Sequence, residues 1–162
     1  MSKSLAQKAI DAAARQYGER VELLFHPQCF EQAGHFAGTD RARIDALVKV
    51  ANDPEIDAVW LARGGYGACR VAEYAIPQLH DPARVKKWLG YSDAGFLLAG
   101  LYKAGFKNVA HGPMPVDLIR EDEPRLKAVL NRVADMAGWS GAEAKPGRAL
   151  GVAVMKAFRS YV

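Results

Sequence analysis

The sequence predicts an α/β fold in which a parallel sheet is flanked by helices on both faces, in a flavodoxin-like or Rossmann-like layering. The first observation behind this prediction is that short apolar runs, which fit buried strands, alternate with longer stretches of helical spacing. The second is the composition: 162 residues, of which 50% are apolar and 25% charged, are typical of one globular domain with its own core.

Five helices and four strands are predicted in alternation. The helices are predicted over residues 4–17, 40–51, 68–76, 94–104 and 121–137, and the strands over residues 21–25, 58–61, 88–91 and 108–111. Apolar residues three or four positions apart carry the helix predictions, and Gly18, Pro77 and Gly105 end three of the helices. A strand normally precedes the first helix of such a sheet, so the sequence leaves open whether the first strand is missing.

One domain is predicted over residues 1–138, followed by a linker and a short tail over residues 139–162. The linker prediction rests on the small and flexible residues of 140–147, and residues 149–158 fit either a strand or a short helix. About twenty residues after a linker are too few to bury a second core. A C-terminal domain is therefore not expected within this chain.

Charge and cysteine content narrow the classes of function. The net charge is +4, but the basic residues are scattered, and the densest groups, Lys86-Lys87 and Arg41 with Arg43, are predicted to lie on solvated helix faces. A nucleic-acid partner is therefore not expected. The two distant cysteines fit free thiols in a reducing compartment. The sequence shows neither a signal peptide nor an apolar run of about 20 residues, so a cytoplasmic protein without membrane contact is predicted.

Three loops are predicted to meet at the carboxyl edge of the sheet, where doubly wound folds bind their ligands. They are residues 63–67, here called the glycine loop, residues 90–93, here called the serine loop, and residues 111–113. Each follows a predicted strand. Their convergence on one edge predicts a functional site there.

The serine loop has the local pattern of an exposed nucleophile. A strand that breaks sharply into a helix lifts Ser92 out of the sheet, and the first backbone N–H groups of the helix lack partners within it. Those donors and the helix dipole favour negative charge, which an acyl-transfer oxyanion would supply. The spacing differs from the five-residue motif of hydrolase nucleophile elbows. The simpler interpretation is that Ser92 or Asp93 caps the helix that follows.

The glycine loop also has two interpretations. The absence of a Cβ at Gly64, Gly65 and Gly67 would let backbone N–H groups approach an anion, with Arg63 available to pair with a carboxylate. The alternative is a tight turn that needs positive φ. A nucleotide site is less favoured, because the lysine of a phosphate-binding loop is missing.

The histidines fit structural roles better than metal binding. His111 is predicted either as a general base or as a hydrogen-bonding positioning residue, and we favour the second. His26, Cys29 and His35 lie near each other in the sequence but have no fourth partner at a usual spacing. No metal site is therefore predicted.

Five motifs occur in the order found in one family of peptidases. They are Phe36-Ala37-Gly38-Thr39-Asp40, Asp53-Pro54-Glu55-Ile56-Asp57-Ala58, Ala62-Arg63-Gly64-Gly65-Tyr66-Gly67, Gly90-Tyr91-Ser92-Asp93 and His111-Gly112-Pro113. Together they resemble the N-terminal domain of the LD-carboxypeptidase family, which comprises muramoyl-tetrapeptide carboxypeptidases and microcin-immunity serine peptidases. The resemblance covers about residues 20–115.

The resemblance implies an atypical serine peptidase with a Ser-His-Glu triad, which releases the terminal D-alanine of murein tetrapeptides in the cytoplasm. It implies that Ser92 is the nucleophile and that the backbone N–H groups of Asp93 and Gly65 form the oxyanion hole. The substrate-binding residues are then expected to be Arg63, Gly64, Tyr66 and His111. A murein peptide is the implied partner and a homodimer the implied assembly, with no metal or cofactor.

Three departures from the family pattern limit what the resemblance implies. The chain begins at a helix rather than a strand, and Ala94-Gly95 replaces a larger residue and a threonine. The catalytic glutamate and histidine of the family lie in a C-terminal domain that is not recognisable after Gly138. Without its base a serine is a weak nucleophile, so weak activity or none is expected. The alternative is a non-catalytic module that binds a peptide carboxylate through Arg63 and the glycine loop.

Overall fold

The computed structural model describes residues 1–119, 123–137 and 149–152. Within these ranges the protein has one five-stranded parallel sheet with helices on both faces, which confirms the predicted fold class. The strands are β1 Glu22–Phe25, β2 Ile56–Trp60, β3 Lys87–Gly90, β4 Val109–His111 and β5 Ala149–Val152. The helices are α1 Lys3–Tyr17, α2 Asp40–Asn52, α3 Ala68–Ala75, α4 Asp81–Val85, α5 Ala94–Lys103 and α6 Glu123–Ala137.

The strand order in the sheet is β1-β5-β2-β3-β4. The last strand therefore lies between the first two, and Leu150 is opposite Leu23 of β1 on one side and Ala58 of β2 on the other. If β5 is counted as the first strand, the order becomes 2-1-3-4-5, which is that of flavodoxin-like sheets. The position that a preceding strand would fill is thus occupied by a strand from the other end of the chain.

The predicted strands and helices are confirmed, with two additions. Residues 149–152, for which both strand and helix were open, form a strand, and α4 is a short helix that opens with Pro82 in its first turn, a position that proline tolerates. Most of the predicted linker, residues 138–148, lies outside the described residues, as do residues 120–122 at the start of the last predicted helix. The domain boundary at residue 138 stays a prediction.

Two apolar clusters lie on opposite faces of the sheet, because successive side chains of a strand point to opposite sides. Val59 of β2 and Trp88 of β3 face the cluster under α2, α3 and α5. Trp60 and Leu89 face the cluster under α1 and α6. Each fully buried aliphatic or aromatic side chain of this kind contributes about 1.5–3 kcal/mol to folding. The two layers hold the carboxyl ends of β2, β3 and β4 at one edge.

Two of the basic residues predicted on solvated faces are buried, so that prediction was wrong for them. Lys86 is 2% exposed, and its ammonium group donates to the backbone carbonyls of Asp53 and Ile56, with 2.5 Å from Nζ to the oxygen of Asp53. Arg43 is fully buried. Both charges are compensated by oxygen acceptors, which is the condition for burying them. Arg41 is exposed as predicted.

No helix within the described ranges has both the length and the apolar character needed to cross a bilayer.

Candidate active site

Ser92 has the backbone conformation of a sharp strand-to-helix turn. Its φ is 58°, and it is the only residue other than glycine with a positive φ in the described part of the chain. Its side chain is exposed, β3 ends two residues before it, and α5 begins two residues after it. This conformation costs a non-glycine residue about 1–3 kcal/mol and is found preferentially at functional sites. The turn holds the Ser92 hydroxyl at the carboxyl edge of the sheet.

The glycine loop packs directly against Ser92. A Cβ added to Gly64 would lie 2.9 Å from the Cβ of Ser92, 3.3 Å from its Oγ and 3.3 Å from the carbonyl oxygen of Tyr91. Gly65 and Gly67 have φ angles of 130° and 116°. The turn interpretation is therefore confirmed for Gly65 and Gly67, and Gly64 permits the close approach of the two loops, whereas anion binding by this loop stays a prediction.

Asp93 joins the same two loops from the inside. Its carboxyl group is buried, and Oδ2 accepts a hydrogen bond from the backbone N–H of Ala68 at 3.0 Å. Burial raises the pKa of the Asp93 carboxyl, while hydrogen bonds from the Ala68 and Gly67 backbone and the charge of Arg43 act to lower it. The net shift is upward.

The interpretation of Asp93 as a cap of its own helix was wrong. The Asp93 side chain makes no capping hydrogen bond to α5 and instead accepts from the first residue of α3. The reason is that Gly67, the residue that precedes α3, has no side chain to satisfy the free N–H groups of that helix. An aspartate from the neighbouring loop supplies the acceptor.

The third loop lies beside the serine loop, as predicted. His111 is opposite Gly90 in the β3–β4 pair, and the backbone N–H of Gly112 donates to the carbonyl oxygen of Gly90 at 3.0 Å. The exposed His111 ring packs edge-on against the Tyr91 ring, with 5.8 Å between centroids. Tyr91 in turn donates through its hydroxyl to Oδ1 of Asp117 at 2.8 Å. His111 thus contacts the residue just before Ser92, which fits the positioning role better than that of a base.

The two remaining candidates line the opening of the glycine loop. Arg63 is half-buried and lies three residues after the end of β2, and Tyr66 is exposed, with its ring 6.3 Å from the Phe36 ring. The structure therefore brings all seven predicted site residues to one edge of the sheet: Arg63, Gly64, Gly65, Tyr66, Ser92, Asp93 and His111. Their chemical roles stay predictions.

The sequence prediction missed one buried residue of the site, Arg43. Its Nη1 donates to the carbonyl oxygen of Gly67 at 3.2 Å, and its Nη2 pairs with Asp40, one turn earlier in α2. The available signal was the Asp40–Arg43 spacing of three residues, which is typical of a helical ion pair. That spacing does not distinguish a buried pair from an exposed one.

The metal ligands considered from the sequence have other environments. Burial raises the pKa of the Cys29 thiol to about 12 and lowers the pKa of His26. In the described part of the protein, no three His, Cys, Asp or Glu residues come together as a metal site would require.

Comparison with known proteins gives one family. Residues 1–112 match the family model described as the LD-carboxypeptidase N-terminal domain, Peptidase_S66. A Synechocystis protein provisionally named a carboxypeptidase is 35% identical over 73% of this chain, and the murein tetrapeptide carboxypeptidase of Pseudomonas aeruginosa is 27% identical over 85%. A Streptomyces coelicolor protein, also provisionally named a carboxypeptidase, is 33% identical over 73%. The chain spans 36%, 47% and 40% of the lengths of these three relatives.

Proposed function

The chain belongs to the LD-carboxypeptidase family, and from that membership we propose that it carries the nucleophile domain of a serine carboxypeptidase. The proposed reaction is hydrolysis of the amide to the terminal D-amino acid of a murein tetrapeptide, in the cytoplasm and in a homodimer. The observation that carries the proposal is the left-handed turn at Ser92, which presents an exposed hydroxyl against the backbone of Gly64.

In this proposal Ser92 attacks the carbonyl carbon of the scissile amide and an oxyanion forms on the carbonyl oxygen. The N–H groups of Asp93 and Gly65 are the proposed donors to that oxyanion, since both belong to loops that meet at Ser92. The positive end of the α5 dipole supports the same charge. One such donor is worth about 10²–10³ in kcat in a serine peptidase.

Substrate recognition is assigned to the residues around the opening. Arg63 would pair with the terminal carboxylate of the peptide through its planar fork of donors, and Tyr66 and His111 would flank the chain that leads to it. The free carboxylate of a C-terminal residue is what distinguishes a carboxypeptidase substrate. A carboxylate partner for Arg63 thus explains why the cut would fall at the terminal bond.

Proton transfer is the part of the reaction that the proposal assigns to no residue of this chain. A serine hydroxyl needs a base at neutral pH, and removal of triad members in other serine peptidases leaves only residual catalysis. Because no base for Ser92 is assigned within this chain, we expect slow turnover.

The test is release of the terminal D-alanine from a murein tetrapeptide, measured by chromatography over hours at high protein concentration. We expect Ser92→Ala to lower the rate at least tenfold, because it removes the nucleophile. Ser4→Ala, on the exposed side of α1, is the matched control and should keep the wild-type rate. Equal rates for wild type and Ser92→Ala would overturn the proposal.

The second candidate function is a non-catalytic module that binds a peptide carboxylate. It is favoured by the half-buried Arg63 at the start of the glycine loop, whose guanidinium suits a carboxylate. Calorimetry with the same tetrapeptide separates the two candidates. Binding that Arg63→Ala abolishes, without Ser92-dependent release of D-alanine, would support the module, and absence of binding would contradict both.

A further inference from the structure

Arg43 is the most deeply buried charged side chain among the described residues, with no exposed surface. It extends from the first turn of α2 to the glycine loop, where Nη1 donates to the carbonyl oxygen of Gly67. Its guanidinium also stacks on the Phe36 ring, 4.8 Å from the centroid. A buried charge is costly unless it is paired and hydrogen-bonded. Loss of the contact with the Gly67 carbonyl would therefore destabilise the fold.

One peptide unit lies between Arg43 and the serine loop. The carbonyl oxygen of Gly67 accepts from Arg43, and the N–H of the same peptide, which belongs to Ala68, donates to Asp93. The peptide is planar, so a donor at its oxygen and an acceptor at its nitrogen fix the orientation of the plane. Hydrogen bonds aligned through one peptide also strengthen each other.

The backbone of Gly67 packs so closely against Arg43 and Phe36 that a side chain does not fit there. A Cβ at that position would lie 2.8 Å from Nη1 of Arg43 and 3.0 Å from the Phe36 ring, and the φ of 116° already excludes most side chains. The clamped peptide ends the glycine loop, and the other end of that loop packs on Ser92 through Gly64. The orientation of the loop N–H groups relative to Ser92 therefore depends on the Gly67–Ala68 plane.

A second arginine shares Asp40 and the Phe36 ring with Arg43 but does not contact the loop carbonyl. Arg70 pairs with Oδ2 of Asp40 at 2.6 Å and lies 5.2 Å from the centroid of the Phe36 ring, but its contacts do not include the Gly67 carbonyl. Arg70 is half-exposed, whereas Arg43 is buried. The chain thus offers a matched control for the single contact that matters.

We propose that Arg43 is a positioning residue, which fixes the Gly67–Ala68 peptide against Asp93 and so sets the backbone donors of the glycine loop around Ser92. The proposal rests on the proposed function for its catalytic consequence. Its structural consequence stands independently: removal of Arg43 releases the loop, and removal of Arg70 does not.

The first experiment measures hydrogen exchange of the Ala68 amide by NMR in the full chain. We expect Arg43→Met to raise the Ala68 exchange rate at least tenfold, and Arg70→Met to leave it within twofold of wild type. Arg43→Lys, which keeps the charge but loses the fork, should give an intermediate rate and serves if Arg43→Met does not fold. Equal rates in the Arg43 and Arg70 variants would overturn the proposal.

The second experiment measures the pKa of the Asp93 carboxyl and the kinetic constants of D-alanine release. Because the charge of Arg43 lowers the pKa of Asp93, that pKa should rise in Arg43→Met and stay unchanged in Arg70→Met, followed by carboxyl NMR. If wild type releases D-alanine, Arg43→Met should lose about tenfold in kcat with KM within twofold, and Arg43→Lys should restore part of it. An unchanged kcat would overturn the positioning role.

A wild-type chain without D-alanine release would contradict the proposed function alone. The exchange rate and the Asp93 titration would then still decide whether Arg43 orders the loop, since neither needs turnover.

Discussion

The two halves of the sheet are built in different ways. The half that carries the candidate site, formed by β2, β3 and β4 with α3 and α5, uses strands that follow one another in the chain and in the sheet. The other half, formed by β1 and β5 with α1, is closed by a strand from residues 149–152, which pairs with residues 22–25. Closing a loop of this length has an entropic cost that local pairing avoids. The site half is therefore specified locally, and the other half depends on one distant strand.

The largest expected effect comes from breaking β5. Proline at Leu150 removes a backbone donor from a strand that is paired on both sides, so Leu150→Pro should lower the free energy of unfolding by about 2 kcal/mol or more. The measurement is the urea midpoint. In Leu150→Pro, backbone amide hydrogen exchange should stay slower in β2 and β3 than in β1 if the site half remains folded without β5.

The control for that prediction is proline at the first residue of an edge strand, Glu22→Pro, a position where proline is tolerated. Equal urea midpoints for the two variants would mean that β5 contributes no more to the stability of the fold than the end of β1 does. Uniform loss of protection over all strands would mean that the two halves unfold as one unit.

The sequence predicts the site half correctly and leaves the half closed by β5 open. The serine loop, the glycine loop and the strand before each are predicted from neighbouring residues, since a turn after an apolar run leaves a local signal. The placement of Leu150 between Leu23 and Ala58 leaves no such signal, because parallel pairing over this distance is decided by the whole sheet. The tail pattern was accordingly compatible with two structures.

The buried cations show a second limit. Arg41 and Arg43 lie on the same helix two residues apart, yet one is exposed with Asp45 and the other is buried against the glycine loop. Only the fold brings the Gly67 carbonyl to Arg43. A side chain that satisfies a backbone oxygen far along the chain is not distinguishable in sequence from a solvated one.

The next largest effect is expected inside the site half, from Gly64→Ala. The added methyl group would meet the Cβ of Ser92 at 2.9 Å, and neither that atom nor the nearby Tyr91 carbonyl can rotate away. We expect a loss of about 1–3 kcal/mol in the free energy of unfolding, together with loss of any Ser92-dependent release of D-alanine.

Gly95→Ala is the matched control, since nothing lies within 4 Å of a Cβ at that position in α5. It should leave D-alanine release unchanged and raise stability by about 0.5 kcal/mol, because alanine is the better helix former. Destabilisation by Gly95→Ala as large as that by Gly64→Ala would show that the close approach of the loops is not the cause.

A smaller effect, with opposite signs at two carboxyl groups, is expected from pH. Against the opposing effect of desolvation, hydrogen bonds from Arg70 and Arg43 hold the pKa of Asp40 below its ordinary 3.8. Its stabilisation is therefore complete above that pH and is lost as pH falls through the lower folded-state pKa. Asp40→Asn should lower the free energy of unfolding at pH 7, because it removes the carboxylate partner of the buried Arg43, and should cost less in strong acid, where Asp40 itself is protonated.

Asp93 should behave in the opposite way, because burial raises its pKa. A raised folded-state pKa stabilises the fold at low pH, and that contribution is lost as pH rises through it. Asp93→Asn should therefore compare more favourably with wild type at pH 7 than at pH 3 in urea unfolding. The same pH trend in the Asp40 and Asp93 variants would contradict the assignment of the two environments.

The least perturbing experiment uses the two cysteines, of which the buried one reports opening of the structure and the exposed one serves as the reference. Cys69, exposed in the first turn of α3, should react first with a chromogenic disulfide, and Cys69→Ser should remove that phase. Cys29 is buried in the cluster that includes Leu23 of β1, and a thiol with a pKa of about 12 has almost no thiolate at pH 8. Its reaction therefore reports opening of the apolar layer under α1, and Leu150→Pro should accelerate it while leaving the Cys69 phase unchanged. An unchanged Cys29 rate in Leu150→Pro would contradict the dependence of this layer on β5.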